Sequence, residues 1–305
     1  MSVTKRAKKN CHDEANWEEV KMVKKVGVIG AGMMGAEIAL CFERAGYETI
    51  LNDIKMEFAQ NGVKKQEAVL DKSIKKGKIT EEDKAKTLAN VTPSDKYEDL
   101  ADCDLIIEAA LEVLEVKEDI FKKLDAICKE TTIFASNTSS ISITKLASAV
   151  SEERKGRFLG THFNSPASVM KLVEVIPALL TKEEVVDEVV ELLASMEKEP
   201  VRVKDVVGFG LNRIFHCMYL EACRLVEEGV CSVEDVDKIC KYGLGHPMGI
   251  FALLDITSHD LNLNVDKILF DAYGDRFRPS PQIQRLVDSG RLGRKTGAGF
   301  YDYNK

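Results

Sequence analysis

The chain has 305 residues, 45% hydrophobic and 30% charged, with a formal net charge of −7. That length suits two domains, or one large one, with ample core, and the composition is that of a soluble globular protein. The acidic balance weighs against nonspecific nucleic-acid binding, and no apolar run approaches membrane-spanning length: residues 105–111 are already interrupted by Glu108.

The first 23 residues stand apart as a flexible extension. Lys5, Arg6, Lys8 and Lys9 make its start basic, and Asp13, Glu14, Glu18 and Glu19 then reverse the charge. It has no apolar segment of a secretory signal and too many acids for a mitochondrial transit peptide. Beyond it, apolar runs predict strands over 25–29 and 48–52, with a lysine-rich helix over 56–76. Thr80-Glu81-Glu82-Asp83 is a capping-box start for a helix running to Ala89. Strand 105–109, helix 116–128, strand 132–136 and a short helix over 143–149 follow. Strands over 157–162 and 172–176 come next, then a helix opened by Thr181-Lys182-Glu183-Glu184 and running to Met196, and strand 200–203. Alternating strands and helices mean βαβ units and a mostly parallel sheet.

After about Asp205 the strand signals fade. Helical periodicity covers 211–228, a stretch boxed by Ser232 and ending near Gly243, and then 250–261, 265–272 and 281–289. The expected fold is therefore α/β: a Rossmann-type doubly wound parallel sheet over 24–205, followed by an all-helical C-terminal domain over 206–305.

The strongest signal is Gly30-Ala31-Gly32-Met33-Met34-Gly35, set between the first strand and a helix-like stretch. Eighteen residues past Gly35, at the end of the next strand, comes Asp53. A tight turn at Gly30, close backbone approach at Gly32 and helix–strand packing at Gly35 suit a dinucleotide diphosphate at a helix N-terminus. Asp53 would accept from a ribose diol and repel a 2′-phosphate, which favours NAD over NADP; Lys55 leaves room for NADP. Eight cysteines lie scattered without a C-x-x-C pair, several among apolar residues (Cys41, Cys128, Cys217), a pattern of reduced core thiols in a cytoplasmic protein.

Six further segments, in order, give the chain a family resemblance. They are residues 101–110, Ala135-Ser136-Asn137-Thr138-Ser139-Ser140, Met170-Lys171-Leu172-Val173-Glu174-Val175, Gly208-Phe209-Gly210-Leu211-Asn212-Arg213, Gly245-His246-Pro247-Met248-Gly249, and residues 293–301. With the glycine fingerprint, the set resembles the L-3-hydroxyacyl-CoA dehydrogenase family, especially its short bacterial 3-hydroxybutyryl-CoA members. The resemblance implies NAD as cofactor, an acyl-coenzyme A substrate, a homodimer, and no metal.

It also implies roles for particular residues. His162 corresponds to the family's proton-transfer base, and Glu174 to the acid that orients its ring. Ser139 and Asn212 correspond to the groups that bind the reacting oxygens. Glu112, Lys117 and Ser165 fall at cofactor-contacting positions, and Lys72, Lys76 and Lys78 in the segment that resembles the coenzyme A site. On residue type alone other readings stand beside these. His162 next to Phe163 suits a structural core histidine, Ser139 a helix cap, and Asn212 a polar contact at a helix start. Glu112 and Lys117 suit surface helix charges, and the three lysines a solvated basic face.

The chain departs from the family pattern at several points. His162-Phe163-Asn164-Ser165-Pro166 replaces the usual His-Phe-Phe-Asn-Pro, so Ser165 stands where the family has an asparagine on the nicotinamide side. Val207 precedes Gly208-Phe209 where the family has proline, and Ile250-Phe251 follow Gly249. These changes bear on the acyl group more than on the reaction. Two rival functions remain open here: a related dehydrogenase of a free hydroxy acid such as carnitine or a sugar acid, and a non-catalytic NAD-binding protein.

Overall fold

The computed structural model describes residues 23–304. The extension predicted over 1–23 therefore lies outside the described residues, apart from Val23, which is buried against the core. The first part of the chain runs β1 (Lys25–Ile29), α1 (Met33–Arg44), β2 (Glu48–Asn52), α2 (Met56–Lys75), α3 (Glu81–Leu88) and β3 (Val91–Ser94). It continues with β4 (Leu105–Glu108), α4 (Leu114–Asp125), β5 (Ile133–Ser136), α5 (Ile143–Ala147), α6 (Glu152–Lys155) and β6 (Phe158–Phe163). β7 (Leu172–Pro177), α7 (Glu183–Ser195) and β8 (Glu199–Arg202) complete the sheet.

The eight strands lie in the order β3-β2-β1-β4-β5-β6-β7-β8. The first six are mutually parallel, β7 runs antiparallel to β6, and β8 is parallel to β7. The 3-2-1-4-5-6 portion is the Rossmann order, whose ligands bind beyond the carboxyl ends of the strands. Apolar runs such as Leu105-Ile106-Ile107 exist because both faces of the sheet are covered. Val28, Leu51, Ile107 and Ala135 pack on one side with Ile38 and Phe42 of α1 and Val189 of α7. Ile106 and Phe134 pack on the other with Phe121 and Leu124 of α4 and Leu146 of α5.

The helical domain comprises α8 (Leu211–Glu227), α9 (Val233–Lys238), α10 (Ile250–Thr257), α11 (His259–Tyr273) and α12 (Pro281–Asp288). Its core gathers Tyr219, Leu220 and Cys223 of α8 with Val236, Phe251, Leu254, Leu263 and Leu269. Among the described residues, no helix is long and apolar enough to cross a membrane.

The structure corrects three expectations. β3 was not foreseen: Val91-Thr92-Pro93-Ser94 is short and contains a proline, which an edge strand tolerates because one side needs no ladder donors. The single helix expected over 250–261 is broken at Ser258, whose φ of 79° ends α10 and opens α11. The stretch over 265–272 is thus the second half of α11. Cys217, grouped with the core thiols, is exposed on α8, whereas Cys41 and Cys128 are buried as expected.

Candidate active site

The glycine loop leaves β1 directly into α1. Gly30 has a φ of 94°, and a Cβ there would meet the Ala109 carbonyl oxygen at 2.7 Å; a Cβ on Gly35 would meet the Gly30 oxygen at 1.7 Å. Only glycine permits this turn to pack so closely. At Gly32, by contrast, a Cβ would enter open space, so the backbone is bare where a diphosphate would approach. The N-terminus of α1 has no side-chain cap and no acid in its first turn, which leaves its amides and positive dipole end for an anion. Asp53 extends from the end of β2, its Oδ2 accepting from the Ala31 amide at 2.7 Å and its Oδ1 from the Ile54 amide at 2.8 Å. It therefore ties the second strand end to the phosphate loop. These features fit a dinucleotide.

His162 and Glu174 face each other directly across the β6–β7 ladder. Opposite residues of an antiparallel pair share one face of the sheet, so the hairpin register alone brings them together. His162 Nδ1 and Glu174 Oε2 lie 2.8 Å apart, and both side chains are buried. Glu174 Oε1 accepts from the amides of Gly210 (2.8 Å) and Leu211 (2.9 Å) at the start of α8. Burial pushes the Glu174 carboxyl upward, but the bonds from His162, Leu211 and Gly210 outweigh it and hold it below its ordinary value. Glu174 is thus anionic near neutral pH. Nδ1 must then carry a proton and donate it, so that in the neutral ring Nε2 is the nitrogen with the free lone pair. Ser139 Oγ lies 3.2 Å from that Nε2. The helix cap considered for Ser139 is supplied by Ser142, which caps α5.

The Ser139 loop has its own support. Glu112 Oε1 accepts from the Ser139 amide at 2.9 Å and from the Ser140 amide at 3.1 Å, and bonds the hydroxyls of Thr138 and Ser140. Burial opposes ionisation of Glu112, but the Lys117 ammonium and these donors prevail and lower its pKa. Lys117 is not the surface charge its residue type suggests. It is 1% exposed, with Nζ 2.7 Å from Glu108 Oε1 and 3.3 Å from Glu112 Oε2. Glu108, at the end of β4, also bonds the Ser136 hydroxyl at 2.6 Å and the Ala110 amide at 2.7 Å. Sequence reasoning missed Glu108; the one available signal was an acid closing an apolar strand. Asn137 Oδ1 accepts from the Phe163 amide at 2.8 Å, joining the Ser139 loop to the histidine strand.

The remaining residues are less constrained. Asn212 lies in the first turn of α8 beside the Glu174-binding amides, partly exposed and without a hydrogen-bond partner among the described residues. Ser165 is exposed, and the Asn164 amide donates to the Leu172 carbonyl at 3.2 Å. Lys72 sits in the last turn of α2, Lys76 at its C-cap and Lys78 just beyond, all exposed and none paired with a carboxylate among the described residues. Among the described residues, no group of three or more His, Cys, Asp or Glu side chains could hold a metal ion.

Comparison with known proteins agrees with this geometry. Residues 25–206 match the model of the 3-hydroxyacyl-CoA dehydrogenase NAD binding domain, and residues 208–303 that of its C-terminal domain. The chain is 43% identical over 286 residues to a 3-hydroxybutyryl-CoA dehydrogenase of Clostridioides difficile, covering 92% of this chain and 100% of that one. It is 40% identical to the human mitochondrial hydroxyacyl-coenzyme A dehydrogenase, covering 92% of each. The crystal structure of (S)-3-hydroxybutyryl-CoA dehydrogenase PaaH1 from Ralstonia eutropha superimposes with a TM-score of 0.87 at 42% identity, covering 93% of this chain and 100% of that one. The chain therefore belongs to the 3-hydroxyacyl-CoA dehydrogenase family, enzymes that oxidise (S)-3-hydroxyacyl-CoA with NAD.

Proposed function

We propose that this enzyme acts on short-chain substrates, 3-hydroxybutyryl-CoA first among them, with His162 as its catalytic base. The substrate rests on the 3-hydroxybutyryl-CoA dehydrogenases the chain resembles, and the observation that carries the base assignment is the unbroken chain Ser139 Oγ–His162 Nε2 (3.2 Å), His162 Nδ1–Glu174 Oε2 (2.8 Å). Such a chain aims an unprotonated imidazole nitrogen at the place where a substrate hydroxyl would lie beside Ser139. In the oxidative direction Nε2 takes the hydroxyl proton, and Glu174 stabilises the imidazolium that results. The carbon–oxygen bond becomes a carbonyl as the C3 hydrogen leaves with its electron pair. Bound NAD supplies the acceptor for that hydride. Ser139 donates to the reacting oxygen, and the unpartnered Asn212 amide is free to donate to the substrate's oxygens as negative charge shifts between them.

The glycine loop from Gly30 to Gly35, with Asp53, binds the cofactor. Glu112 and Lys117 support this reading by shaping the Ser139 loop, and Ser165 lies on the exposed rim beside the histidine strand. Lys72, Lys76 and Lys78 offer unpaired ammonium groups to the coenzyme A phosphates. A homodimer through the helical domain is supported by exposed Ile256 and Leu261, and a cytoplasmic setting by the free thiols of every described cysteine.

A chain-length series tests the substrate assignment. NADH consumption is followed with acetoacetyl-CoA and with progressively longer 3-oxoacyl-CoA esters. The highest kcat/KM is expected with acetoacetyl-CoA; a maximum at a long chain would overturn the short-chain assignment.

A further inference from the structure

The two amides that hold Glu174 belong to residues 210 and 211, at the joint between the domains. This joint is awkward backbone: Gly208 has a φ of 73° and Phe209 a φ of 46°, two successive residues in the left-handed region. Phe209 also stands beside the base, its ring centroid 5.6 Å from that of His162. Something must hold such a segment in one place.

That support comes from one face of α11. The Tyr273 hydroxyl donates to the Val207 carbonyl at 2.9 Å. Leu269 packs so tightly against the joint that a Cβ on Gly208 would meet its Cδ2 at 2.6 Å. Asp266 reaches α8, with Oδ1 2.8 Å from His216 Nδ1 and 2.5 Å from the Tyr219 hydroxyl. Residues 266, 269 and 273 share a helical face by their spacing, and together they grip the chain before, at and after the joint.

The Asp266–His216–Tyr219 cluster is out of character with its surroundings. All three side chains are buried in the apolar core of the helical domain, and Asp266 Oδ2 has no hydrogen-bond partner among the described residues. A buried carboxylate satisfied on one oxygen is a poor way to stabilise a core. It is a good way to fix one helix against another, because apolar ridges can slide by a fraction of a turn while short, directional hydrogen bonds between them cannot.

We propose that Asp266, with His216 and Tyr219, is a positioning device for the known reaction. It sets the register of α8 on α11, and so places the Gly210 and Leu211 amides against Glu174 and Asn212 over the reacting oxygens. The proposal rests on the reading of His162 and Glu174 given above, and its test has one readout independent of turnover.

Full-length Asp266→Asn and the triple variant Asp266→Leu, His216→Leu, Tyr219→Phe are compared with the parent. The triple variant removes the cluster but keeps the core filled, so its melting temperature should match or exceed that of the parent. A merely structural cluster would then leave activity intact. The expected result is a kcat lower by roughly ten- to a hundredfold in both variants. NADH affinity should hold within about twofold, since the glycine loop is untouched. The low-field proton signal of the His162–Glu174 bond should move or vanish in the NMR spectrum. Unchanged kcat and an unchanged proton signal in the folded triple variant would overturn the proposal. If the parent fails to turn over acetoacetyl-CoA, the substrate reading falls, and the proton signal alone decides the positioning role.

Discussion

His162 and the lysine cluster of α2 were read from the same resemblance, yet the fold treats them in opposite ways. His162 is buried, opposed across a ladder by Glu174, touched by Ser139, and backed through Glu174 by two amides from the other domain. Lys72, Lys76 and Lys78 are exposed at and beyond the end of a helix, and no carboxylate pairs with them among the described residues. A proton-transfer group needs a fixed partner and a fixed direction, so its surroundings must determine it several times over. A phosphate-binding lysine needs charge and reach, and water holds it ready at no cost to the fold. Geometry alone therefore argues for the first site, whereas for the second it merely leaves the groups available.

Mutation can break this comparison at either end. The largest effect is expected at the proposed base: His162→Ala should lower the rate roughly 10²–10⁴-fold, the range for removing a positioned acid–base group, while NADH titration shows unchanged binding. Asn212→Ala should lower kcat about 10²–10³-fold with little change in KM, if its free amide acts on charge that develops in the reaction. An effect confined to KM would reassign Asn212 to ground-state binding.

The supporting layer should respond in stability. Lys117→Met leaves the buried Glu108 carboxyl without its ammonium partner, and chemical denaturation should show a loss of about 3–5 kcal/mol. A variant as stable as the parent would mean that Lys117 is dispensable to the Ser139 loop.

Glu174 should reveal itself through pH. Its folded pKa is held below the ordinary 4.5, so the stability it contributes is complete above about that pH and disappears as pH falls through the lowered value. The stability gap between the parent and Glu174→Gln should therefore narrow as pH falls below about 4, where the carboxylate takes up its proton. A gap that keeps widening below about pH 4 would contradict an ionised Glu174.

The smallest effects belong to the cluster. Lys72→Ala and Lys76→Ala should each raise the KM for the CoA ester by about threefold at low salt and less at high salt, as expected of screened charges. Equal effects on a CoA-free substrate would show that the lysines do not read coenzyme A.

What was legible in the chain follows the same division. The sheet could be read because its central strands are buried on both faces and spell continuous apolar runs, and the glycine loop because Gly30 and Gly35 answer steric demands of the turn. Where the physics is non-local, reading failed. Burial of Lys117 depends on Glu108, nine residues earlier at the end of another element. The break at Ser258 carries neither glycine nor proline, and helical periodicity runs straight across it. His162 and Glu174 could be named only through family resemblance, because their meeting is set by a hairpin register that neither residue announces. The His216–Asp266 bond, spanning 50 residues, left no local signal.

The most direct test of the central claim is NADH oxidation by the full-length enzyme with acetoacetyl-CoA, run beside free acetoacetate and repeated with His162→Ala. Fast turnover of the CoA ester alone, lost in His162→Ala while NADH still binds, is the predicted result. Equal turnover of free acetoacetate, or undiminished activity without the histidine, would contradict it.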